Sequence, residues 1–568
     1  MLKKLLILFF LNCLVINSNL IARTQTTLDY QDRIHAESSE NFMVVSQNTH
    51  ATEAGYEILS KGGNAVDAAV AVGFALAVTL PRAGNLGGGG FMLIYNNEKN
   101  EVETIDYRSA APKSAKSEMF VDGKAVVRFG HLVNAVPGSV AGLIKAHEEH
   151  GKLSLSEIMK PSIRLAKNGI PVTKDLNYAL DWSKESLLQN STSRKKFYDK
   201  ADNPIAVSDL FKQPKLAKTL FLISRKGKEA FYEGEIAKWI EEDSLNNGGL
   251  ITLEDLASYE AKEREPISID YRGYNIVSMA PVASGGLVLL QIMSILENFD
   301  LKAFGPNSAE TVHLLSESMQ RAYADRARYH GDPDYYDVPI KKLLSKEYLK
   351  ERSKSITASR TEDGQIYAGD MNKVDESPDT THFSVIDSKG NAVSTTYTLG
   401  SSFGSGITIE KGGFLMNNQM RNFSHFYGKS DDLSLGTSAA NKLEPGKRMI
   451  STQAPTLVFN PQGKLFMVLG SPGGGRIPNV IAQVISNVID HKMSYASAVM
   501  APRINQRLEG NLELENGFSP DTISLLKAKG HNIKSSMTMG SVQAIFIEDQ
   551  VIYGVADTRR PGALAKGD

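Results

Sequence analysis

The sequence of 568 residues contains a single cysteine, Cys13, within its N-terminal apolar segment. The remaining chain therefore has no thiol for a disulfide bond or a cysteine nucleophile. Lysine and arginine number 63 and aspartate and glutamate 64, so the formal net charge is −1. Without a basic arm or stripe, the sequence predicts no nucleic-acid partner. It also lacks an H-E-x-x-H motif and clustered histidines, so we expect neither a metal nor another cofactor.

The N-terminus differs in composition from the rest of the chain. Two lysines in Met1–Lys4 precede the apolar run Leu5–Ile16, and small or polar residues follow. This order predicts a secretory signal peptide over residues 1–22, and hence a periplasmic or secreted protein. The run is well short of the ~20 residues that a bilayer-spanning helix needs, so no stable membrane span is expected. A lipoprotein signal ending at Cys13 is the alternative.

The pattern of elements changes along the chain. The first half is mostly helical, with a buried helix over Ala65–Leu80 that Asn64 can cap. A long helical stretch is predicted over Gly286–Tyr329. The second half is dominated by hairpins with two helices. Layered sheets with helices outside them are therefore expected.

A β-hairpin near the middle of the chain brings two threonines together. The sequence predicts strands over Thr381–Ile386 and Ala392–Thr398, joined by a glycine-containing turn over Asp387–Asn391. Folding these strands about Lys389 sets Thr380 opposite Thr398, or one residue away from it if Gly390 forms a bulge.

A threonine hydroxyl is a weak nucleophile until a base activates it. A break between Asp379 and Thr380 would give Thr380 its own base, the new α-amino group. Because threonine pairs are also common on half-exposed sheets, a purely structural hairpin is the alternative that the spacing leaves open.

Two glycine-containing segments bear on the chemistry. Ser471–Gly475 lies between a strand and a helix, where backbone N–H groups can stabilise an oxyanion; a structural turn is the alternative. The segment Gly400–Gly404 fits the G-x-S-x-G pattern of a nucleophile elbow. The residues after it look extended rather than helical, which argues against an elbow.

Further motifs occur in one order along the chain: Gly62–Ala69, Asp106–Arg108, Ala135–Gly138, Tyr323–Arg326, Thr380–His382, Asn417–Met420, Pro445–Arg448 and Ser471–Gly474. Together they resemble the γ-glutamyltranspeptidase (glutathione hydrolase) family of N-terminal-nucleophile hydrolases, over essentially the whole mature chain. The resemblance implies an α/β (α+β) fold, a four-layer αββα sandwich. It also implies a proenzyme that cuts itself into a large subunit, residues 23–379, and a small subunit, residues 380–568, which stay associated.

The resemblance assigns roles to the catalytic residues. Thr380 would attack a γ-glutamyl carbonyl to form an acyl-enzyme, and Thr398 would orient it. Gly473 and Gly474 would form the oxyanion hole. Glutathione and similar compounds would donate the acyl group to water, amino acids or peptides.

The resemblance also assigns substrate contacts. Arg108, Ser451 and Thr452 would bind the donor's carboxylate, and Gln419 and Asn422 its ammonium group.

The ammonium side departs from the family pattern. Asn422 stands where the family generally has aspartate, and Gly400 where it often has asparagine. Arg421, the neighbour of Asn422, replaces an acidic or neutral residue. A buried ammonium that lacks its counter-charge is destabilised by roughly 3–5 kcal/mol. A glutaryl-type, cephalosporin-acylase-like amidase is therefore one alternative, and a non-catalytic exported binding protein is another.

Overall fold

The computed structural model describes residues 35–122, 125–366, 380–426 and 438–568. The chain divides into Met1–Ala36 and the compact unit Glu37–Asp568, to which every element below belongs. The predicted signal peptide, including Cys13, and the cleavage-site residue Asp379 lie outside the described residues.

Two seven-stranded antiparallel sheets form the centre of the fold. The strand order of the first sheet is Glu37–Ser39, Val551–Ala556, Gln543–Glu548, Leu465–Gly470, Thr456–Phe459, Tyr274–Ser278 and Ile267–Tyr271. The strand order of the second sheet is Leu564–Gly567, Met43–Ser46, Thr381–Ile386, Ala392–Thr398, Gly89–Asn96, Glu101–Tyr107 and Lys262–Glu263.

The two sheets pack face to face through apolar side chains. Val45 and Leu93 of the second sheet share one buried cluster with Val468 and Ile545 of the first. Alternate residues of a strand point to opposite faces, so each sheet can bury a second apolar face against helices.

Helices cover both outer faces and complete four αββα layers, as expected. The second sheet packs against Thr49–Ser60, Ala65–Thr79 and Ser139–His150. The first sheet packs against Ser284–Leu296 and Ile477–Ile489. The remaining described α-helices are Leu155–Ile158, Lys160–Asn168, Lys174–Trp182, Lys184–Leu187, Ser191–Phe197, Pro214–Tyr232, Glu235–Asn246, Leu253–Ala257, Leu301–Phe304, Ala309–Tyr329, Ile340–Leu343, Lys346–Lys354, Tyr495–Met500 and Pro520–Ala528.

Small sheets and single helical turns complete the described part. Three short strands form a third sheet, and two pairs of two-residue strands form ribbons: Ile504–Asn505, Leu512–Leu514 and Ile533–Ser535; Val121–Asp122 with Ala125–Val126; and Ile170–Pro171 with Leu210–Phe211. The 3-10 turns are Ser117–Phe120, His131–Val133, Gln419–Asn422 and Gly474–Arg476. None of the helices in the described part combines the length and apolar character needed to cross a bilayer.

The predicted helical stretch over Gly286–Tyr329 consists of three helices in the structure, Ser284–Leu296, Leu301–Phe304 and Ala309–Tyr329. Gly305, at a φ of 79°, ends the short helix Leu301–Phe304 in a conformation that favours glycine. The Ser308 side chain then accepts a hydrogen bond from the Thr311 N–H and caps the next helix.

The buried helix Ala65–Thr79 is tied directly to the central hairpin. Asn64 and Asp67 cap its N-terminus reciprocally, as a capping box. The Ala65 N–H donates to the carboxylate of Asp387 in the hairpin turn (3.0 Å). The turn that sets the threonine register is thereby fixed against the core.

Candidate active site

The hairpin register places the two threonines as predicted. Thr381 pairs with Tyr397, so the next position along the ladder sets Thr380 opposite Thr398. Both threonines line one cavity. The residues lining it are Arg108, Thr380, Thr398, Gly400, Arg421, Asn422, Ser451, Thr452, Gln453, Gly474 and Ile477.

The two threonines are buried and held by their surroundings. The Gly400 N–H donates to the Thr398 hydroxyl oxygen (2.9 Å), which fixes that side chain. Arg560 Nη1 donates to the carbonyl oxygen of Thr380 (3.3 Å). The contact of Arg560 was not foreseen from the sequence, because 180 positions separate the two residues.

The glycine loop lies at the same cavity. Gly473 and Gly474 have φ values of 138° and 54°, conformations that glycine adopts without strain. Gly474 lines the cavity, and the buried helix Ile477–Ile489 begins just beyond it. The Tyr323 hydroxyl donates to the carbonyl oxygen of Gly475 and anchors the loop. This geometry suits an oxyanion hole.

The Arg108 side chain is almost completely buried at one wall of the cavity. Its Nε donates to the Met449 carbonyl oxygen (3.2 Å) and its Nη2 to the Ile450 carbonyl oxygen (3.3 Å). A guanidinium fixed in this way has a defined orientation at the cavity, and guanidinium groups suit the recognition of carboxylates.

A buried ion-pair network supports the Arg108 backbone. Asp106 Oδ1 accepts from the Arg108 N–H (2.9 Å), while Asp106 Oδ2 pairs with Arg448 (2.7 Å) and Arg264 (3.2 Å). Burial acts to lower the pKa of Arg448, but the Asp106 carboxylate outweighs it, and this pKa lies above its usual value. The motif Asp106–Arg108 thus includes a carboxylate that positions the backbone of Arg108, the predicted binding residue.

Ser451 and Thr452 lie on a segment fixed against the start of a helix. The Ser451 N–H donates to the Val282 carbonyl oxygen (3.1 Å), and the Ser284 hydroxyl donates to the Ser451 carbonyl oxygen (2.9 Å). The predicted hydroxyl pair therefore lies in the same cavity as Arg108.

The two predicted ammonium-binding residues, Gln419 and Asn422, lie in one 3-10 turn but stand differently to the cavity. Asn422 lines the cavity, whereas Gln419 is not one of its lining residues. Gln419 Nε2 donates to the Thr398 carbonyl oxygen (2.8 Å), and its Oε1 has no hydrogen-bond partner in the part of the chain that the structure describes. Gln419 thus supports the backbone of Thr398.

The charged residues that line the described part of the cavity are all positive. They are Arg108 and Arg421, and no aspartate or glutamate is among the described lining residues. Arg421 Nη1 donates to the Ser401 hydroxyl oxygen (2.8 Å). Gly400 has a φ of 103°, and a Cβ atom there would lie 2.3 Å from Asn418 Oδ1. Asparagine could occupy position 400 only after this neighbour moved.

His382, which follows the two threonines of the Thr380–His382 motif, is buried between hydroxyl groups. Its Nδ1 lies 2.8 Å from Thr396 Oγ1 and its Nε2 3.1 Å from Ser384 Oγ. Burial lowers the pKa of His382 to about 3, so the imidazole is neutral near pH 7. Across the described residues, no three histidine, cysteine, aspartate or glutamate side chains are grouped to hold a metal ion.

The local structure does not support a nucleophile elbow in the G-x-S-x-G segment, because the residues directly after it, 405–418, form no helix. The Ser401 hydroxyl accepts hydrogen bonds from the side chains of Asn418 and Arg421, which suits a structural role.

Comparisons with known proteins agree with this architecture. A glutathione hydrolase proenzyme from Escherichia coli strain K12 is 42% identical over 545 residues, which cover 94% of this chain and 93% of that protein. The Acylase ACY 1 proenzyme from Pseudomonas sp. strain SE83 is 35% identical over 540 residues, which cover 92% of this chain and 93% of that protein. The crystal structure of cephalosporin acylase from Bacillus halodurans superimposes with a TM-score of 0.84 at 29% identity, covering 96% of this chain and 99% of that one.

The layered sheets with helices on both faces define the fold of an N-terminal-nucleophile hydrolase. The family model described as gamma-glutamyltranspeptidase matches residues 51–567. The chain belongs to the gamma-glutamyltranspeptidase family. It is an enzyme of this family rather than the non-catalytic binding protein considered from the sequence.

Proposed function

We propose that this enzyme is a γ-glutamyltransferase and glutathione hydrolase made as a proenzyme. The observation that carries the proposal is the meeting of Thr380 and Thr398 in a cavity that also contains the Arg108 guanidinium. The similarity to relatives named glutathione hydrolase proenzyme supports the same activity.

The precursor is cut between Asp379 and Thr380. Residues 23–379 become the large subunit and residues 380–568 the small subunit. Before this step, the signal peptide over residues 1–22 directs export to the periplasm or the medium. Cleavage frees the α-amino group of Thr380, which is the base that a threonine nucleophile requires.

In the acylation step, Thr380 Oγ attacks the γ-glutamyl carbonyl carbon, and its proton passes to the α-amino group. Thr398 orients the attacking hydroxyl. The N–H groups of Gly473 and Gly474 stabilise the oxyanion of the tetrahedral intermediate. The C–N bond then breaks, and the protonated amine returns the proton to the leaving nitrogen.

Donor binding and deacylation use the same cavity. Arg108, Ser451 and Thr452 hold the α-carboxylate, and Asn422 lies at the ammonium end, with Gln419 supporting the wall beside it. Water or an amino acid then gives a proton to the α-amino group and attacks the ester carbon. Thr380 leaves with its hydroxyl restored.

A glutaryl-type amidase is the second candidate. Arg421 and the absence of an acidic lining residue within the described part of the chain favour a donor that carries no amine. The similarity to Acylase ACY 1 proenzymes and to a cephalosporin acylase points the same way.

Two measurements test these proposals. Mass spectrometry of the purified protein should find two chains, the smaller beginning at Thr380, and Thr380→Ala should remain one chain. Parallel assays with γ-glutamyl and glutaryl anilides should then show faster turnover of the γ-glutamyl donor. An intact single chain that hydrolyses either donor would refute the N-terminal threonine mechanism.

A further inference from the structure

Gln453 is a buried amide in the wall of the candidate donor cavity. Its side chain is 1% exposed, and it follows directly after Ser451 and Thr452. Neither Oε1 nor Nε2 has a hydrogen-bond partner among the described residues. No sequence motif marks this residue, because a lone glutamine beside a hydroxyl pair forms no recognisable pattern.

An unpaired buried amide carries a free-energy cost. A buried donor or acceptor without a partner loses its hydrogen bonds to water and gains none in return. Both ends of the Gln453 amide are in this position. Arg108 and Thr380, at the same cavity, are about as buried, so deep burial is common to its polar groups. A ligand that meets both ends of the amide would remove the penalty.

The charges of the residues lining the cavity indicate which ligand groups could bind the Gln453 amide. No carboxylate among the described lining residues can meet an ammonium group, and Arg421 adds a positive charge. An ammonium can still donate to a neutral carbonyl oxygen. A carboxylate can accept from an amide N–H as well as from a guanidinium.

We propose that Gln453 is a specificity-determining residue that binds the α-amino-acid head of the donor. Its Oε1 accepts from the donor's ammonium while its Nε2 donates to the adjacent carboxylate. The two donor groups share one carbon atom, so a single primary amide can span both. Gln453 thereby replaces part of the interaction that an aspartate at position 422 would give. This assignment rests on the proposed γ-glutamyl chemistry.

The experiment compares γ-glutamyl and glutaryl anilides on the processed enzyme. Gln453→Met keeps the length of the side chain but removes both polar atoms. The kcat/KM for the γ-glutamyl donor should fall about tenfold or more, mainly through KM, because binding in the ground state is lost. The glutaryl donor lacks the amine and should lose less, because only one of the two hydrogen bonds disappears. The ratio of the two donors therefore shifts towards glutaryl.

A second variant moves the ratio in the opposite direction. Gln453→Glu supplies a counter-charge to the ammonium and repels a donor that carries only a carboxylate, so the γ-glutamyl preference should rise. Gln213→Met is the matched control, since Gln213 is also a buried glutamine but lies outside this cavity. That variant should leave the ratio unchanged. Subunit gels and thermal unfolding establish that each variant is processed and folded.

The proposal is overturned if Gln453→Met changes both donors by the same factor or leaves both unchanged. It is also overturned if Gln453→Glu fails to raise the ratio in a processed enzyme. Failure of the underlying function gives a different result: the wild-type chain then cleaves neither donor or is never processed.

Discussion

The buried histidine His382 should make the stability of the protein depend on pH. Its pKa is about 3 in the folded protein, because burial disfavours the charged ring, against an ordinary value of 6.5. Between pH 3 and pH 6.5, His382 is therefore protonated in the unfolded chain but neutral in the folded chain. Stability from this residue is present above about pH 6.5 and is lost as the pH falls towards 3.

The magnitude follows from the size of the shift. Each pH unit below 6.5 removes about 1.4 kcal/mol, so about 2 kcal/mol is lost by pH 5. His330, whose pKa is also lowered by burial to about 3, adds a similar amount. His382→Gln removes one titrating group and leaves the other in place.

Urea unfolding on a Thr380→Ala background tests this reasoning, because the chain is then expected to stay in one piece. The difference in unfolding free energy between His382→Gln and its parent is measured at pH 7 and at pH 5. The penalty of the substitution should be about 2 kcal/mol smaller at pH 5, since the parent alone suffers the protonation loss. Equal penalties at both pH values would refute a neutral, buried His382.

Three further predictions concern the cavity. Arg108→Lys should reduce kcat/KM for a γ-glutamyl donor by about 2 kcal/mol, or roughly thirtyfold, because an ammonium cannot form a bidentate pair; an unchanged KM would count against carboxylate binding there. Asn422→Asp should raise the γ-glutamyl to glutaryl ratio about tenfold by restoring a counter-charge; a constant ratio in paired assays would contradict the account of the ammonium end. Gly400→Ala should destabilise the fold by about 1–3 kcal/mol more than Gly463→Ala in denaturant unfolding. Both glycines have positive φ values, but only at Gly400 would a Cβ meet another atom, Asn418 Oδ1; equal losses would mean that this contact relaxes freely.

Local patterns sufficed where short-range chemistry decides the structure. The strands Thr381–Ile386 and Ala392–Thr398 occur with the predicted bounds, and their observed register sets Thr380 opposite Thr398 without a one-residue shift. The buried helix ends at Thr79, one residue before the predicted end, and Asn64 caps it as expected. The αββα layering, which the family resemblance implied, is also confirmed.

Long-range contacts were beyond such patterns. Arg560, near the C-terminus, donates a hydrogen bond to the Thr380 carbonyl oxygen. Gln453 lines the cavity, and no sequence motif predicts this position. Gln419 matches the family pattern, yet its amide is bound to the Thr398 carbonyl oxygen. These roles depend on which segments meet in three dimensions, and single-sequence spacing carries no information about that.

The strand order has a consequence for the two proposed products of cleavage. In the first sheet, four strands from beyond Thr380 stand between Glu37–Ser39 on one side and Tyr274–Ser278 on the other. In the second sheet, Met43–Ser46 is inserted between Leu564–Gly567 and Thr381–Ile386. Both sheets therefore contain hydrogen-bonded strands from both pieces, so cutting one peptide bond does not separate them. Pulling them apart would strip hydrogen-bonding partners from both sheets at once, and mixing separately made pieces is not expected to rebuild the enzyme.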